Sequence, residues 1–332
     1  MSFKICVIGC GGIANQMHGH AYKRYAEIHA DTILSACCDI DETRASQFMK
    51  KFGFKKYSMD YKSMLKEERP DAVCLNAPVN LTAELAAEIL DLGYPLILEK
   101  PPGLNREQTQ NMLNAAEKKK TIHQVAFNRR FIPVVEYLVK ELAQYGKENI
   151  QNIGCEFFRF GRKDPDFSTT AIHGIDTVRF IAGSDYREVH FHYQEMPLSD
   201  IKEGAANFFL HGVCGSGAHA QLRFCPLAGA RFERITVNVR DNTYLALLPY
   251  GNSQDSPGKI LHYREDKQVK EINGGELCGS NEIFMTNGFY RENEVFFDAV
   301  KAGVQPECDL KSGMQSVEIM DCIRRRIKEY RL

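Results

Sequence analysis

Apolar and polar positions in the first 130 residues follow two alternating patterns. Short apolar runs rich in β-branched residues predict strands, and the longer stretches between them carry apolar residues at helical spacing. The predicted strands are 3–8, 32–38, 72–76, 96–98 and 122–126, and the predicted helices are 13–29, 42–52, 61–67, 81–92 and 106–119. This alternation of strand and helix is typical of an α/β domain built on a doubly wound parallel sheet.

Beyond residue 130 the pattern changes. Short strands follow one another between residues 189 and 270 without intervening helices, which predicts an antiparallel or mixed sheet. Helices are predicted over 134–144, 171–181, 290–301 and 311–325, and a strand over 155–160. A chain of 332 residues also exceeds the usual size of a single core. We therefore predict two domains, residues 1–125 with the parallel sheet and residues 126–332 with an α+β arrangement.

Composition and charge exclude several classes of protein. With 44% apolar and 26% charged residues the chain can bury a core, and its 42 Lys and Arg nearly balance its 43 Asp and Glu. This balance gives no overall attraction to nucleic acid or to an anionic membrane. The first apolar run is too short for a secretory signal, and no stretch reaches the roughly 20 apolar residues of a membrane span. We expect a cytoplasmic protein.

The cysteines and histidines do not form a metal motif. The eleven cysteines are an odd number without C-x-x-C spacing, and two His-x-His pairs lack a third ligand nearby in sequence. The cysteines are therefore interpreted as reduced thiols, and no metal is expected.

A glycine-rich loop joins the first predicted strand to the first helix. Residues 9–14 read G-C-G-G-I-A, which fits G-x-G-x-x-A. The first glycine permits the tight turn, the second allows the backbone to approach a pyrophosphate at the helix N-terminus, and the alanine allows close packing of helix and strand. Glycines here could also be purely structural, but their place in a strand–turn–helix unit favours a Rossmann dinucleotide site. The predicted contacts are Gly9, Gly11, Gly12, Ile13 and Ala14.

An acidic residue ends the second predicted strand. Asp39 can accept hydrogen bonds from the adenosine ribose hydroxyls and would repel a 2′-phosphate. No cation follows it directly, and Arg44, the nearest, falls within the next helix. NAD is therefore favoured over NADP. A role for Asp39 as a turn former or helix cap is compatible with the same contact.

A lysine stands at the carboxyl end of the strand at residues 96–98. Glu99 and Lys100 follow that strand, at the edge of a parallel sheet where ligands bind, and two prolines come next. A single lysine at a strand end could be an ordinary solvated charge. Beside a dinucleotide, its ammonium group could polarise a substrate oxygen and stabilise a developing alkoxide.

Five motifs in this order resemble one family. They are G-C-G-G-I-A at residues 9–14, Asp39, E-K-P at 99–101, F-N-R-R-F at 127–131 and H-G-I-D at 173–176. The chain resembles the Gfo/Idh/MocA family over nearly its whole length. The resemblance implies a Rossmann domain and a second domain with an open, mainly antiparallel sheet, whose outer face often forms a dimer or tetramer. It also implies hydride transfer between a nicotinamide cofactor and a carbon of a sugar, cyclitol or related polyol.

The resemblance also suggests catalytic residues. Lys100 matches the family's active-site lysine and His173 its catalytic histidine. The family pattern D-x-x-x-H-x-x-D reads T-T-A-I-H-G-I-D here, so Thr169 replaces the first aspartate. Asp176 is retained one helical turn after the histidine and could hold the imidazole. Asp164 or Asp166 are alternatives for that role.

Further contacts are implied by position in the family. The cofactor would also touch Asn76, Pro78, Glu99 and Asn128, and the substrate would touch Arg129, Arg130 and Arg159. Arg130, Arg159 and Arg162 together would suit a substrate with a carboxylate or phosphate. Arg129 and Arg130 could equally form ion pairs between the domains.

Three functions are compatible with these residues. The leading hypothesis is a sugar or polyol dehydrogenase that works as a homodimer or homotetramer. A non-catalytic NAD-binding sensor is the rival, because Thr169 weakens the acid–base set, although retention of Lys100 and His173 argues against it. The third hypothesis is an oxidoreductase for an imine or another non-sugar substrate, with the lysine as the main acid.

Overall fold

A computed structural model of the chain describes residues 2–162, 166–196 and 206–332. The strands are β1 Phe3–Ile8, β2 Thr32–Cys38, β3 Lys56–Ser58, β4 Ala72–Leu75, β5 Leu96–Glu99, β6 His123–Ala126, β7 Ile150–Phe158, β8 Tyr186–Glu195, β9 Ala206–Cys214, β10 His219–Cys225, β11 Phe232–Val239, β12 Asn242–Leu248, β13 Lys259–Arg264, β14 Lys267–Asn273 and β15 Glu329–Arg331. The helices are α1 Gly19–Ile28, α2 Glu42–Phe52, α3 Tyr61–Glu68, α4 Val79–Asp91, α5 Arg106–Lys119, α6 Pro133–Ala143, α7 Ser168–Ala182, α8 Gly274–Cys278, α9 Ile283–Thr286, α10 Phe289–Ala302 and α11 Leu310–Arg324.

The chain divides into two compact units. The first contains Met1–Phe127 and Phe289–Val317, and the second contains Asn128–Gly288 and Glu318–Leu332. The sequence predicts a single boundary near residue 125, which lies close to the end of the first segment. It places all of 126–332 in the second domain, whereas residues 289–317 belong to the first unit.

Aromatic packing explains why the chain returns to the first unit. Phe297 of α10 lies 4.9 Å from Tyr25, 6.2 Å from Tyr22 and 6.0 Å from Phe3, measured between ring centroids. The apolar pattern predicts this helix but does not identify the surface that it covers, since any apolar face of either unit could accept it.

The first unit is built on a parallel sheet with strand order β3-β2-β1-β4-β5-β6. This is the doubly wound order in which ligands bind beyond the carboxyl ends of the strands. The predicted strands are all present. The sequence misses β3, a three-residue edge strand whose first two side chains are exposed, because it buries too little to produce an apolar run.

Side-chain caps fix the ends of two helices as the sequence predicts. Asp41 accepts from the backbone N–H of Arg44 at 3.1 Å, and Asn105 accepts from that of Gln108 at 2.9 Å. The first predicted helix differs, because its start is a π-helical turn over Ala14–His18 that precedes α1. Turns of this kind are frequent at functional sites.

The second unit holds a sheet of order β14-β13-β12-β11-β7-β10-β9-β8-β15. Only β7 and β10 pair in parallel among its described strands, so the predicted mainly antiparallel sheet is confirmed. α7 packs close to this sheet because Gly174 carries no side chain: a Cβ there would lie 2.8 Å from the Phe224 ring and 3.2 Å from the Cys155 sulfur. None of the described helices is long and apolar enough to span a membrane.

Candidate functional site

The glycine loop of the first unit leaves room for a ligand. Gly9 has φ +93°, and a Cβ there would lie 2.5 Å from the carbonyl oxygen of Asn76, so a side chain is excluded. Gly11 and Gly12 face open space, since a Cβ on either would meet no atom within 4 Å. Ala14 is fully buried behind them. The loop is therefore tight against the sheet and open on the side where a pyrophosphate would approach.

Asp39 connects the end of β2 to this loop. Its Oδ2 accepts from the backbone N–H of Cys10 at 2.9 Å, and its Oδ1 accepts from that of Asp41 at 3.0 Å. The guanidinium of Arg44 also donates to Oδ1, at 3.0 and 3.2 Å. An ionised carboxylate oxygen accepts about two hydrogen bonds, so Oδ2 retains capacity for a ribose hydroxyl. The contact with Arg44 was not predicted from sequence.

Asn76 and Pro78 follow β4 at the same sheet edge. The Asn76 amide donates to the Tyr22 hydroxyl at 3.3 Å and to the Gly9 carbonyl at 3.5 Å. Pro78 is the N-cap of α4, and its carbonyl accepts from the hydroxyl of Thr82 at 3.1 Å. The Asn76 amide thus supports the glycine loop through the carbonyl of Gly9.

Glu99 and Lys100 lie at the end of β5. The Glu99 carboxylate is bonded on both oxygens, because His18 Nε2 lies 2.7 Å from Oε1 and the backbone N–H of Lys100 donates to Oε2 at 3.0 Å. Burial raises the pKa of this carboxyl, but the hydrogen bond from His18, the charge of Lys100 and the hydrogen bond from its backbone outweigh burial and hold the pKa below its usual value. Glu99 is therefore an anion beside the lysine at neutral pH.

In the second unit a 3-10 turn presents the sequence N-R-R-F at Asn128–Phe131. Arg129 forms a bidentate pair with Glu233, from Nε to Oε2 at 3.0 Å and from Nη2 to Oε1 at 2.7 Å. Its Nη1 donates to the Asn128 side-chain oxygen at 2.8 Å. Arg159, 1% exposed, also donates to Glu233 and stacks on the Tyr250 ring at 4.0 Å from the centroid.

These contacts differ from the predicted role of Arg159, which was substrate binding. The Arg159 guanidinium is buried and forms an ion pair with the carboxylate of Glu233, which belongs to the same unit. Burial raises the pKa of Glu233, but the charges and hydrogen bonds of Arg129 and Arg159 outweigh burial and keep the pKa below its usual value. Two cations thus share one buried anion.

His173 lies on the buried face of α7 next to Arg129. The imidazole Nε2 is 3.3 Å from Arg129 Nη1, and the side chain is almost fully buried. A guanidinium only donates hydrogen bonds, so Nε2 is the acceptor in this contact. The ring therefore has a lone pair on Nε2, as a general base requires.

Asp176 and Arg130 form a second buried ion pair. Arg130 donates from Nε to Oδ2 at 2.8 Å and from Nη2 to Oδ1 at 2.6 Å. Sequence reasoning expected Asp176 to hold the imidazole and Arg130 to bind substrate. In the structure each carboxylate oxygen of Asp176 accepts from Arg130, because a planar guanidinium matches a carboxylate on two atoms.

The start of α7 shows what Thr169 does in place of an aspartate. Its hydroxyl donates to the Asp166 carbonyl at 3.2 Å, a local contact. The carboxylate of Asp166 accepts from the backbone N–H and the hydroxyl of Ser168, the first residue of α7. Asp164, the other acid considered from sequence, lies outside the described residues. In the described part of the chain, no group of three or more His, Cys, Asp and Glu is arranged to hold a metal ion.

Comparison with known proteins shows which family the first unit resembles. Residues 3–127 match the family model GFO_IDH_MocA, described as an oxidoreductase family with an NAD-binding Rossmann fold. Residues 3–127 are thus similar to the NAD-binding Rossmann domain of the Gfo/Idh/MocA family. The open glycine loop and the Asp39 carboxylate fit the NAD of this family, because the loop leaves the backbone accessible and Asp39 retains an acceptor position.

The similarity extends beyond the Rossmann domain. Myo-inositol 2-dehydrogenase of Thermotoga maritima is 24% identical over 351 residues, covering 99% of this chain and 97% of the relative. A solved oxidoreductase domain protein from Kribbella flavida is 16% identical with a TM-score of 0.84 and covers 100% of this chain and 99% of its own. Levoglucosan dehydrogenase, solved in complex with NADH, is 18% identical with a TM-score of 0.81 and coverages of 98% and 96%. The chain therefore has the fold of these solved oxidoreductases over both of its units.

Sequence reasoning missed Glu233, although a signal was present. Glu233, Ile235, Val237 and Val239 alternate along β11 and are all fully buried. A glutamate at an inward position of an alternating strand must have a charged or hydrogen-bonded partner. The spacing could thus have identified a buried ion pair, but not that Arg129 and Arg159 supply it.

Proposed function

We propose that the protein is an NAD(H)-dependent oxidoreductase that moves a hydride between the nicotinamide and a carbon of a sugar, cyclitol or related polyol. The observation that carries the proposal is the Glu99–Lys100 pair at the carboxyl end of β5, in the sheet that bears the dinucleotide loop. The names of the relatives support the substrate class, since they include a myo-inositol 2-dehydrogenase and a levoglucosan dehydrogenase.

In this proposal the two catalytic residues have separate tasks. The Lys100 ammonium stabilises the substrate oxygen as it gains negative charge, and His173 takes the hydroxyl proton on Nε2. NAD, when bound, supplies the hydride acceptor. Reduction of a carbonyl uses the same groups in reverse.

Supporting roles follow from the contacts. The cofactor is held by the glycine loop of residues 9–14, Asp39, Asn76, Pro78, Glu99 and Asn128. Arg129 orients the imidazole and is the proposed arginine contact to substrate oxygens, because it already reaches His173. Arg130 and Thr169 act further away, through Asp176 and the start of α7.

Two observations favour the alternative, a non-catalytic NAD-binding sensor. Arg129 occupies the Nε2 lone pair of His173, and Thr169 supplies no carboxylate to stabilise an imidazolium. Turnover of NAD with a panel of cyclitols, free sugars and glycosides, and of NADH with the matching ketones, separates the two functions. Reduction of NAD by any member of the panel supports the enzyme, and tight NAD binding with no turnover on the whole panel supports the sensor.

We expect NAD(H) to bind at least about tenfold more tightly than NADP(H), an effect of about 1.4 kcal/mol. Asp39 accepts from the ribose diol and repels a 2′-phosphate. Asp39→Ala should narrow the difference, because Arg44, now bound to Asp39, becomes available to the phosphate. Calorimetry with both cofactors measures this, and Asp39→Ala/Arg44→Ala is the control that should bind NADP(H) weakly again. Equal affinities in the wild type would contradict the assignment.

We also propose that the chain forms a homodimer or homotetramer in the cytoplasm, through the sheet face of the second unit that points away from its core. That face carries half-buried apolar residues, among them Phe158 and Phe232, whose rings lie 4.7 Å apart. Light scattering at micromolar concentration should show a dimer or larger, and Phe232→Lys should shift it toward monomer. A wild-type protein that is monomeric under these conditions rules out the interface.

A further inference from the structure

His18 connects three segments of the first unit that are far apart in sequence. The side chain is 1% exposed and ends the π-helical turn that follows the glycine loop. Its Nε2 lies 2.7 Å from Glu99 Oε1 on β5, and its Nδ1 lies 3.2 Å from the side-chain nitrogen of Asn293 on α10. The imidazole thus bridges the end of β5 and the returning helix.

The amide of Asn293 determines which ring nitrogen carries the proton. Its nitrogen also donates to the carbonyl of Phe289 at 2.7 Å, and a carbonyl only accepts. The amide therefore points its N–H groups at both Phe289 and His18, so His18 Nδ1 must be the acceptor. The proton of the neutral ring is then on Nε2, where it is donated to Glu99.

A charged group near the His18 ring would favour a different protonation state, in which Nδ1 also carries a proton. Glu292, fully buried, has a carboxylate oxygen 3.9 Å from Nδ1 and would attract a second proton there. Glu99 lies on the other side of the ring, Lys100 follows Glu99, and the neutral Tyr22 ring stacks at 5.9 Å. The N–H of Asn293, directed at Nδ1, opposes that second protonation.

We propose that Asn293 and His18 are positioning residues: Asn293 fixes the Nε2–H tautomer of His18, and His18 fixes the Glu99 carboxylate, which in turn holds the main chain at Lys100. The second oxygen of Glu99 accepts from the Lys100 backbone N–H, so the orientation of this carboxylate is transmitted to the residue that carries the ammonium group. The consequence for catalysis rests on the proposed function, whereas the tautomer does not.

The tautomer can be measured without a substrate. Nitrogen-15 NMR of protein labelled at histidine, with the His18 signals assigned by their loss in His18→Gln, should show a protonated Nε2 and an unprotonated Nδ1. In Asn293→Asp the isosteric carboxylate can accept from Nδ1–H, so Nδ1 should carry a proton in this variant. An Nδ1–H tautomer or a doubly protonated ring in the wild type overturns the proposal.

The positioning role predicts a defined pattern in the kinetics. His18→Leu removes the donor to Glu99 and should lower kcat by up to about 10²-fold, the effect of a misplacement of roughly 1 Å. His18→Gln places an amide N–H near the Nε2 position and should recover most of that loss. Without the donor, burial raises the pKa of Glu99, so the acid limb of the kcat profile should move to higher pH in His18→Leu.

The two experiments separate the inference from the proposed function. An unchanged kcat and pH profile in His18→Leu, in an enzyme that turns over, overturns the positioning role. A wild type that turns over no substrate contradicts the proposed function, and the NMR result still decides the tautomer.

Discussion

Replacing Lys100 by Met should lower kcat by about 10² to 10⁴-fold while NAD(H) still binds with nearly wild-type affinity. Met keeps the length and apolar stem of the side chain but removes the ammonium group, which acts on charge that develops in the transition state. Substrate turnover and a fluorescence titration with NADH measure the two effects separately. Lys119→Met, at the exposed end of α5, is the matched control and should leave both values unchanged.

His173→Ala should cause a loss of the same order, because it removes the only group proposed to move the proton. Retention of full activity in either the lysine or the histidine variant, once a substrate is known, would mean that the catalytic residues are misassigned. A parallel loss of NADH binding would also contradict the assignment, since it would indicate a role in holding the cofactor or the fold.

Thr169→Asp refines this first prediction. The aspartate restores the family residue four positions before His173 and can stabilise a protonated imidazole, which the Thr169 hydroxyl does not do while it donates to the Asp166 carbonyl. We expect kcat to rise in this variant. A fall in kcat would mean that Arg129 and its partners have replaced the aspartate in a way that does not tolerate a second acid.

The regular elements could be predicted because their signals are local. The bounds of β1, β2, α2 and α5 agree with the apolar pattern and the capping residues, which depend only on neighbours in sequence. β3 buries too little surface to produce an apolar run in the sequence. The π-helical turn depends on the direction of the His18 side chain. The packing of α10 on the first unit could not be predicted either. Its amphipathic pattern predicts a helix with one apolar face, and that face would fit several apolar surfaces of the protein.

The candidate site could be predicted only in part, for a similar reason. Motif position predicts Gly9, Asp39 and Lys100 directly after β1, β2 and β5, where the structure has them, because strand ends follow from the local sequence. The charged side chains of the site pair with residues far away in sequence, as Arg129 does with Glu233, 104 positions apart. Spacing along the chain does not determine such pairs, which is why Arg159 was expected at the substrate and is found in a buried ion pair.

Glu233 is the residue of the second unit on which we expect stability to depend most. It is fully buried, and it is shared by Arg129 and Arg159, which are 8% and 1% exposed. Removing one partner of a buried ion pair leaves an uncompensated charge, which typically costs about 3 to 5 kcal/mol. Here the loss leaves two guanidinium groups of like charge beside each other, with Tyr250 stacked on one of them.

Glu233→Gln should therefore lower the free energy of unfolding by about 3 to 5 kcal/mol, measured by chemical denaturation at pH 7. The amide keeps the size of the side chain, so the change isolates the charge. Glu271→Gln on β14 is the control: its ion pair with Lys259 is exposed, and its loss should cost less than about 1 kcal/mol.

The pH dependence of this difference tests its electrostatic origin. The folded pKa of Glu233 is lowered, so its ionisation stabilises the folded state fully above the unfolded value of about 4.3, and this stabilisation is lost as the pH falls through the folded pKa. The gap between wild type and Glu233→Gln should be constant from pH 6 to 8 and should shrink at acid pH, as the wild-type carboxyl also becomes neutral. A gap that stays the same down to pH 3 would mean that the glutamine disturbs packing rather than charge. A gap below about 1 kcal/mol at pH 7 would mean that the two arginines do not depend on Glu233, and the orientation of Arg129 toward His173 would then need another cause.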